Sequence, residues 1–198
     1  MRLITKFVAA AALPLAVTAG TALPVAAVTA VPNTLTANQI ASRANADLKA
    51  AKSFHVSGTF TDQGNHGSLN VTRGRNGCEG TYSFGGTPVT FVQIGGTAWL
   101  EVSGQWTQIS ASANDEAFTF CNPSTIASLV NVPSSLTKGR VTVISRQRVQ
   151  ELTEGKAMAI YVTTTAKPEY VRFVISGREQ LNFSGINASV TIKPPAAG

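Results

Sequence analysis

The sequence predicts an α+β fold built on one long antiparallel β-sheet of about 10–11 strands, with a helix before the sheet and a short helical insertion within it. Three observations lead to this prediction. Apolar residues recur at helical spacing between Thr36 and Ser53, and strands that alternate apolar with Thr, Ser or Asn residues follow. Turn signals then recur at intervals of about ten residues between Gln63 and Gly104. A sheet this long does not stay flat, so we expect it to curl.

Residues 1–30 have the form of a secretory signal peptide. Arg2 and Lys6 accompany a short apolar run, Phe7–Ala16, and the small-residue motifs VAA (25–27) and VTA (28–30) offer cleavage sites. The apolar run is too short for a transmembrane span of roughly 20 residues. No cysteine directly follows either cleavage site. We therefore expect an exported protein, secreted or held in the cell envelope, that is not lipid-anchored through a lipobox.

Residues 31–198 are predicted to form a single domain, since their number suffices for a sizeable core. The formal net charge is +6, and the basic residues are scattered apart from the pairs Arg73/Arg75 and Arg146/Arg148. Alternation places both members of a pair on one face of a strand, and we expect that face to be solvated. Because basic residues are not interleaved with aromatic ones, no nucleic-acid partner is expected.

The first element is predicted to be one amphipathic helix over residues 36–53. Ile40 and Ala44 fall on one face, Thr36 can cap the helix, and Gln39 completes a capping box. The many alanines allow the helix to pack closely on a sheet.

The strands are predicted in two groups on either side of the insertion. The first group covers residues 54–64, 66–77, 78–86, 87–96 and a hairpin that turns at Ser103-Gly104. Asn122 caps a second predicted helix, residues 123–131, and a loop leads to Gly139. The second group covers residues 140–152, 156–176 (broken near Lys167-Pro168), 179–185 and 188–195.

Cys78 and Cys121 are the only cysteines, and two cysteines in an exported chain are most often paired. Such a bond would tie the third strand to the start of the helical insertion and stabilise the fold by roughly 4 kcal/mol. A cysteine nucleophile or metal ligand is the alternative. Metal-site spacing is absent, because the chain has only two histidines.

Several phrases of the chain resemble a known family. These are ANADLKAAKSFHVSGTF, IGGTAWLEVSGQW, AIYVTTTAKPEYVRF and LNFSGINASVTIKPP, in that order. The pattern resembles the actinobacterial exported lipoproteins of the LppX/LprG type, which are grouped with lipoprotein carriers and receptors of the LolA/LolB type. The resemblance covers roughly residues 37–195. It implies an unclosed, strongly curved half-barrel whose concave face is covered by the helices, and an apolar cavity that takes acyl chains. The missing lipobox cysteine is a departure from the family pattern.

The apolar face of the predicted sheet and the apolar residues of the insertion supply the candidates for lining such a cavity. Each of them has ordinary packing in the core as its alternative role. The candidates are Phe54, Val56, Phe60, Leu69, Val71, Tyr82, Phe84, Phe91, Leu100, Val102, Phe118, Phe120, Ile126, Leu129 and Val130.

The sequence contains no recognisable catalytic motif. A nucleophile elbow, a zinc-protease motif, a P-loop and a dinucleotide-binding glycine pattern are all missing. Asp115 and Glu116 are adjacent and expected to face water, and His55 and His66 are expected to be surface residues. We therefore predict a protein that is not an enzyme and that uses no cofactor and no metal.

Both tryptophans lie in the stretch Gly95–Trp106. Alternation places Leu100 on the apolar face and Trp99 on the opposite, convex face. Trp106 begins the following strand beside the turn, where it can close the edge of the sheet. The tryptophans are thus expected to lie outside the cavity.

Two hypotheses about function follow. The first is a secreted, monomeric carrier of the cell envelope that binds lipid or acyl chains in a non-catalytic cavity. The second is a secreted binding or envelope-structural module that has the same fold but no lipid cavity, and that uses its surface to contact a membrane, an envelope protein or a cell-wall glycan.

Overall fold

The computed structural model describes residues 34–62, 64–85, 88–110, 118–130, 132–175 and 179–195. The predicted signal peptide, and Asp115 and Glu116, lie outside these residues. The described elements, in chain order, are helix α1 (Ala37–Lys49), strands β1 (Phe54–Asp62), β2 (Asn65–Arg73), β3 (Gly77–Phe84), β4 (Val89–Ile94), β5 (Thr97–Val102) and β6 (Gln105–Ser110), a 3₁₀ helix (Thr119–Cys121), helix α2 (Pro123–Leu129), and strands β7 (Thr137–Ile144), β8 (Gln147–Glu154), β9 (Met158–Thr163), β10 (Tyr170–Ile175) and β11 (Glu179–Ser184).

All eleven strands belong to one antiparallel sheet that is not closed into a barrel. Their order is β6-β5-β4-β3-β2-β1-β11-β10-β9-β8-β7, so that β6 and β7 form the two edges. The first and last strands pair at the centre, where Val56 lies opposite Phe183. The predicted fold is confirmed: a helix, six strands, a helical insertion and five strands build a curved, unclosed half-barrel. Among the described residues no helix is long and apolar enough to cross a membrane.

Helix α1 begins with the predicted capping box. The Gln39 backbone N–H donates to Thr36 Oγ1 at 3.2 Å, and the Thr36 N–H donates to Gln39 Oε1 at 2.8 Å. The helix ends at Lys49, earlier than predicted. Its buried face packs on the sheet, where the buried Tyr170 hydroxyl donates to the Ala41 carbonyl at 3.1 Å. Burial raises the pKa of this phenol, which therefore stays protonated.

The central strand β1 approaches β11 so closely that only glycine fits at position 58. Gly58 has φ +151°, and a Cβ atom placed there would lie 1.8 Å from the Gln180 carbonyl oxygen. The predicted turn at Ser103-Gly104 is confirmed, with φ values of 54° and 79°. Such paired positive values suit the twist of a two-residue hairpin.

Three predictions for the second half of the chain were wrong. Residues 140–152 form a hairpin and not one strand, because Ser145 and Arg146 adopt positive φ (49° and 65°) although neither is Gly, Asn or Asp. Strand β7 begins at Thr137, before the predicted end of the loop at Gly139. Residues 188–195 form no strand. They pack against the β2–β3 turn instead, where the Asn76 amide donates to the Ile192 carbonyl at 2.8 Å and accepts from its N–H at 2.9 Å.

The core lies between the concave face of the sheet and the helices. Helix α1 contacts α2 and strands β7, β9 and β10, and the 3₁₀ helix contacts β2. The two helices of the insertion therefore cover the half of the sheet that α1 does not reach. The largest buried side chains include Phe54, Phe91, Phe173 and Ile126.

Candidate ligand-binding site

The strand register places apolar and polar residues of the concave face in rows. One row crosses β1 to β5 through Phe54, Arg73, Cys78, Gln93 and Ala98, which pair successively across neighbouring strands. The next row, one step closer to the β1–β2, β3–β4 and β5–β6 turns, contains Val56, Val71, Gly80, Phe91 and Leu100 by the same register. Arg73 is thus the one charged residue in these two rows.

The insertion is fixed to this surface by the predicted disulfide. Cys78 of β3 is bonded to Cys121 of the 3₁₀ helix, with their Cα atoms 5.7 Å apart. The two residues are only 1% and 4% exposed. The bond therefore holds the start of the insertion against the first row while the rest of the insertion is held by side-chain packing.

Six aromatic rings between the sheet and the insertion form a continuous set of contacts that we call the aromatic series. Adjacent ring centroids lie 5.6–6.4 Å apart. One end of the series is Phe84, which is 44% exposed at the rim of the sheet, and the other end is the buried Phe118, near the disulfide. The order along the series is Phe84, Phe60, Phe120, Tyr82, Phe91 and Phe118.

A pocket of about 520 Å³ opens at the buried end of the series, between β2, β4 and the insertion. Its lining mixes amide and hydroxyl groups with apolar rings and one guanidinium, and it includes no carboxylate from the described part of the chain. The lining residues are Arg73, Gln93, Phe118, Thr119, Cys121, Asn122, Pro123 and Thr125. Asn122 caps α2, since its side chain accepts a hydrogen bond from the Ser124 N–H at 2.9 Å.

Arg73 was wrongly expected on a solvated face, and like every described lining residue except Phe118 it was absent from the predicted cavity set. Its side chain is on the concave face, and Nη1 donates to the Cys121 carbonyl at 2.6 Å. Arg75, in contrast, is exposed in the β2–β3 turn. The signal was present in the sequence, because Arg73 continues the alternation of Leu69 and Val71 along β2.

The predicted cavity residues are in one region, where they pack mainly against each other. Phe118 is the one among them that lines the pocket, and Phe84 (44%) and Val102 (61%) are exposed at the rim. Tyr82, Leu100, Phe120 and Leu129 are partly buried against the core. The buried ones are Phe54, Val56, Phe60, Leu69, Val71, Phe91, Ile126 and Val130, together with Phe118.

Trp99 lies on the convex face, as alternation predicts. It is opposite Val92 on one side and Gln108 on the other. Trp106 lies opposite Glu101 and therefore shares the convex face with Trp99, diagonally across the β5–β6 pair. Both tryptophans are partly exposed, so they form an outer aromatic pair and do not contribute to the concave face.

The His, Cys, Asp and Glu residues of the described segments form no metal-binding arrangement, since no group of three or more of them is placed to hold a metal ion. His55 hydrogen bonds to Asn70 Oδ1 at 2.8 Å and to Ser184 Oγ at 3.2 Å on the convex face. This histidine is therefore part of a surface hydrogen-bond network, away from the pocket.

Fold and site together define a class of protein: an unclosed antiparallel half-barrel with a helical cover over its concave face. LprF from Mycobacterium bovis has a similar structure, with a TM-score of 0.58 at 15% identity, over 81% of this chain and 97% of that one. The Mycobacterium tuberculosis lipoprotein LppX aligns over 79% of this chain and 98% of its own, with a TM-score of 0.49 and 15% identity. No protein-family model and no curated protein matches the sequence. The similarity to LprF is one of fold.

Proposed function

We propose that this protein is an exported, non-catalytic carrier that binds a lipid or another lipophile between the concave face and residues 118–130. The observation that supports this proposal most is the aromatic series. It extends from the exposed Phe84 at the rim to Phe118 beside the pocket, and so offers a continuous apolar path for an acyl chain. Burial of apolar surface supplies roughly 25 cal/mol per Å², so a long chain gains several kcal/mol along such a path.

Binding along this path requires part of the insertion, residues 118–130, to move away from the sheet. The Phe120 ring lies 5.7 Å from Phe60 and 5.9 Å from Tyr82, and it fills the space between them. We expect an acyl chain to displace Phe120 while the neighbouring disulfide holds Cys121 in place. Leu100 and Tyr82 are partly exposed already, which lowers the cost of opening this side.

A pair of neighbouring substitutions on opposite faces tests the proposal. Leu100→Glu places a carboxylate on the concave face, and Trp99→Glu places one on the convex face of the same strand; both positions are partly exposed. We expect delipidated wild-type protein and W99E to bind cis-parinaric acid with similar affinity, measured by fluorescence, and L100E to lose that binding. The absence of binding to wild-type protein, together with no extractable lipid from protein made in its native host, would contradict the carrier function.

The second candidate function is a surface module of the envelope, and the outer aromatic pair favours it. Trp99 and Trp106 are partly exposed and adjacent on the convex face. Tryptophan is enriched at protein and carbohydrate contacts because one large ring buries much area. This function predicts that a cell-wall glycan or envelope protein raises the melting temperature, that W99E abolishes the shift, and that L100E does not.

A further inference from the structure

Arg73 has N–H donors that form no hydrogen bond within the described part of the chain. One of its five N–H donors binds the Cys121 carbonyl, and its buried Nε has no partner. Among the described residues no carboxylate forms an ion pair with this guanidinium. Partial burial of a cation is unfavourable, and an anion bound beside it would offset that cost.

The surroundings of Arg73 suit an anion attached to an apolar chain. Gln93, Asn122 and Thr125 bring uncharged polar groups to the pocket wall, and its volume of about 520 Å³ lies in the usual range for small-ligand sites. Phe118 lines the same pocket and contacts Phe91 edge to face at 5.6 Å. The polar pocket and the apolar series therefore meet at one ring.

We infer that Arg73 binds the anionic group, a carboxylate or a phosphate, of an amphiphile whose acyl chain lies along the aromatic series. The planar guanidinium can donate two parallel hydrogen bonds to either group. The inference rests on the proposed carrier function and adds the class of headgroup. It also assigns the pocket and the series to two ends of one ligand.

The test compares matched ligands and matched arginine variants by isothermal titration calorimetry at concentrations below micelle formation. The ligands are laurate, dodecyl phosphate and the neutral 1-dodecanol, with inorganic phosphate and acetate as chain-free anions. The variants are Arg73→Gln and, as the control, Arg75→Gln, which removes the same charge from the exposed turn two residues away. We expect R73Q to weaken laurate and dodecyl phosphate by about tenfold or more and to leave 1-dodecanol unchanged. R75Q should match the wild type for every ligand.

A second variant keeps Arg73 in place, so that the inference can be tested even if R73Q does not fold. Thr125→Glu puts a carboxylate into the pocket, at the third residue of α2, where acidic side chains favour helix formation. We expect T125E to fold with wild-type stability and to lose the preference for anionic ligands, because the introduced carboxylate pairs with the guanidinium.

The outcomes separate the headgroup inference from the carrier function. If 1-dodecanol binds as tightly as laurate, or if R73Q and R75Q behave alike, the headgroup inference is wrong and the carrier function stands. If no amphiphile binds the wild type and no lipid is extracted from protein made in its native host, the carrier function is wrong. Binding of inorganic phosphate or acetate as tight as that of the amphiphiles, and dependent on Arg73, would assign the pocket to a free anion and overturn the acyl-chain part.

Discussion

The disulfide allows a quantitative prediction about stability. Replacing both cysteines by alanine (C78A/C121A) removes a cross-link between residues 43 positions apart. The closed loop restricts the unfolded chain, and the loop-closure estimate for this length is about 4 kcal/mol at 25 °C. We therefore expect the double variant to unfold with a free energy about 4 kcal/mol below that of the oxidised wild type.

Urea denaturation, followed by circular dichroism, measures this difference. The slope of the free energy against urea should also rise, since an unfolded chain without the cross-link exposes more surface. Wild-type protein in reductant is the control and should unfold within about 1 kcal/mol of the double variant. A double variant as stable as the oxidised wild type, to within about 1 kcal/mol, would refute the reasoning from chain entropy.

Two further substitutions test the packing around the concave face. Gly67→Ala should destabilise the fold by about 1–3 kcal/mol, because its Cβ would lie 2.5 Å from the Phe60 ring; Gly96→Ala, with open space around it, should cost less, and equal losses in urea denaturation would contradict the packing account. Tyr170→Phe should cost about 1 kcal/mol at pH 7, since the hydrogen bond to the Ala41 carbonyl is lost. Burial raises the pKa of Tyr170, so the folded state keeps a proton that the unfolded state releases above about pH 10. The wild type therefore loses stability at this group as the pH rises above about 10. Y170F should therefore show a smaller loss between pH 9 and 11, and parallel curves for the two proteins would disprove this linkage.

Much of the fold could be predicted because local signals and the overall topology agree. Thr36 and Gln39 specify the start of α1, and the Ser103-Gly104 pair specifies a hairpin. The prediction from the sequence was wrong where a turn lacks such residues. Ser145 and Arg146 adopt positive φ because the pairing of β7 with β8 on both sides of the turn fixes their positions. Tertiary contacts also determine the C-terminal segment, which is apolar and alternating but packs against Asn76 instead of pairing as a strand.

The sequence predicts which apolar residues share the concave face, and it does not predict the environment of Arg73. Alternation assigns Phe60 and Phe91 to the concave face, and the structure brings them into one aromatic series. It also assigns Arg73 there, but charge alone suggested solvent. The environment of Arg73 depends on the insertion held over it by Cys121, which no local pattern reveals.

The position of a bound acyl chain tests the central claim most directly. A fatty acid with a photoactivatable diazirine in its chain is bound to delipidated protein and irradiated, and the labelled residues are located by tandem mass spectrometry. Leu100 and Trp99 are adjacent in β5 but point to opposite faces, so their labelling distinguishes the two sides of the sheet. The carrier function predicts labels on Leu100, Phe91 and Phe120. Labels on Trp99 and Trp106 alone, or labelling that excess laurate does not reduce, would contradict it.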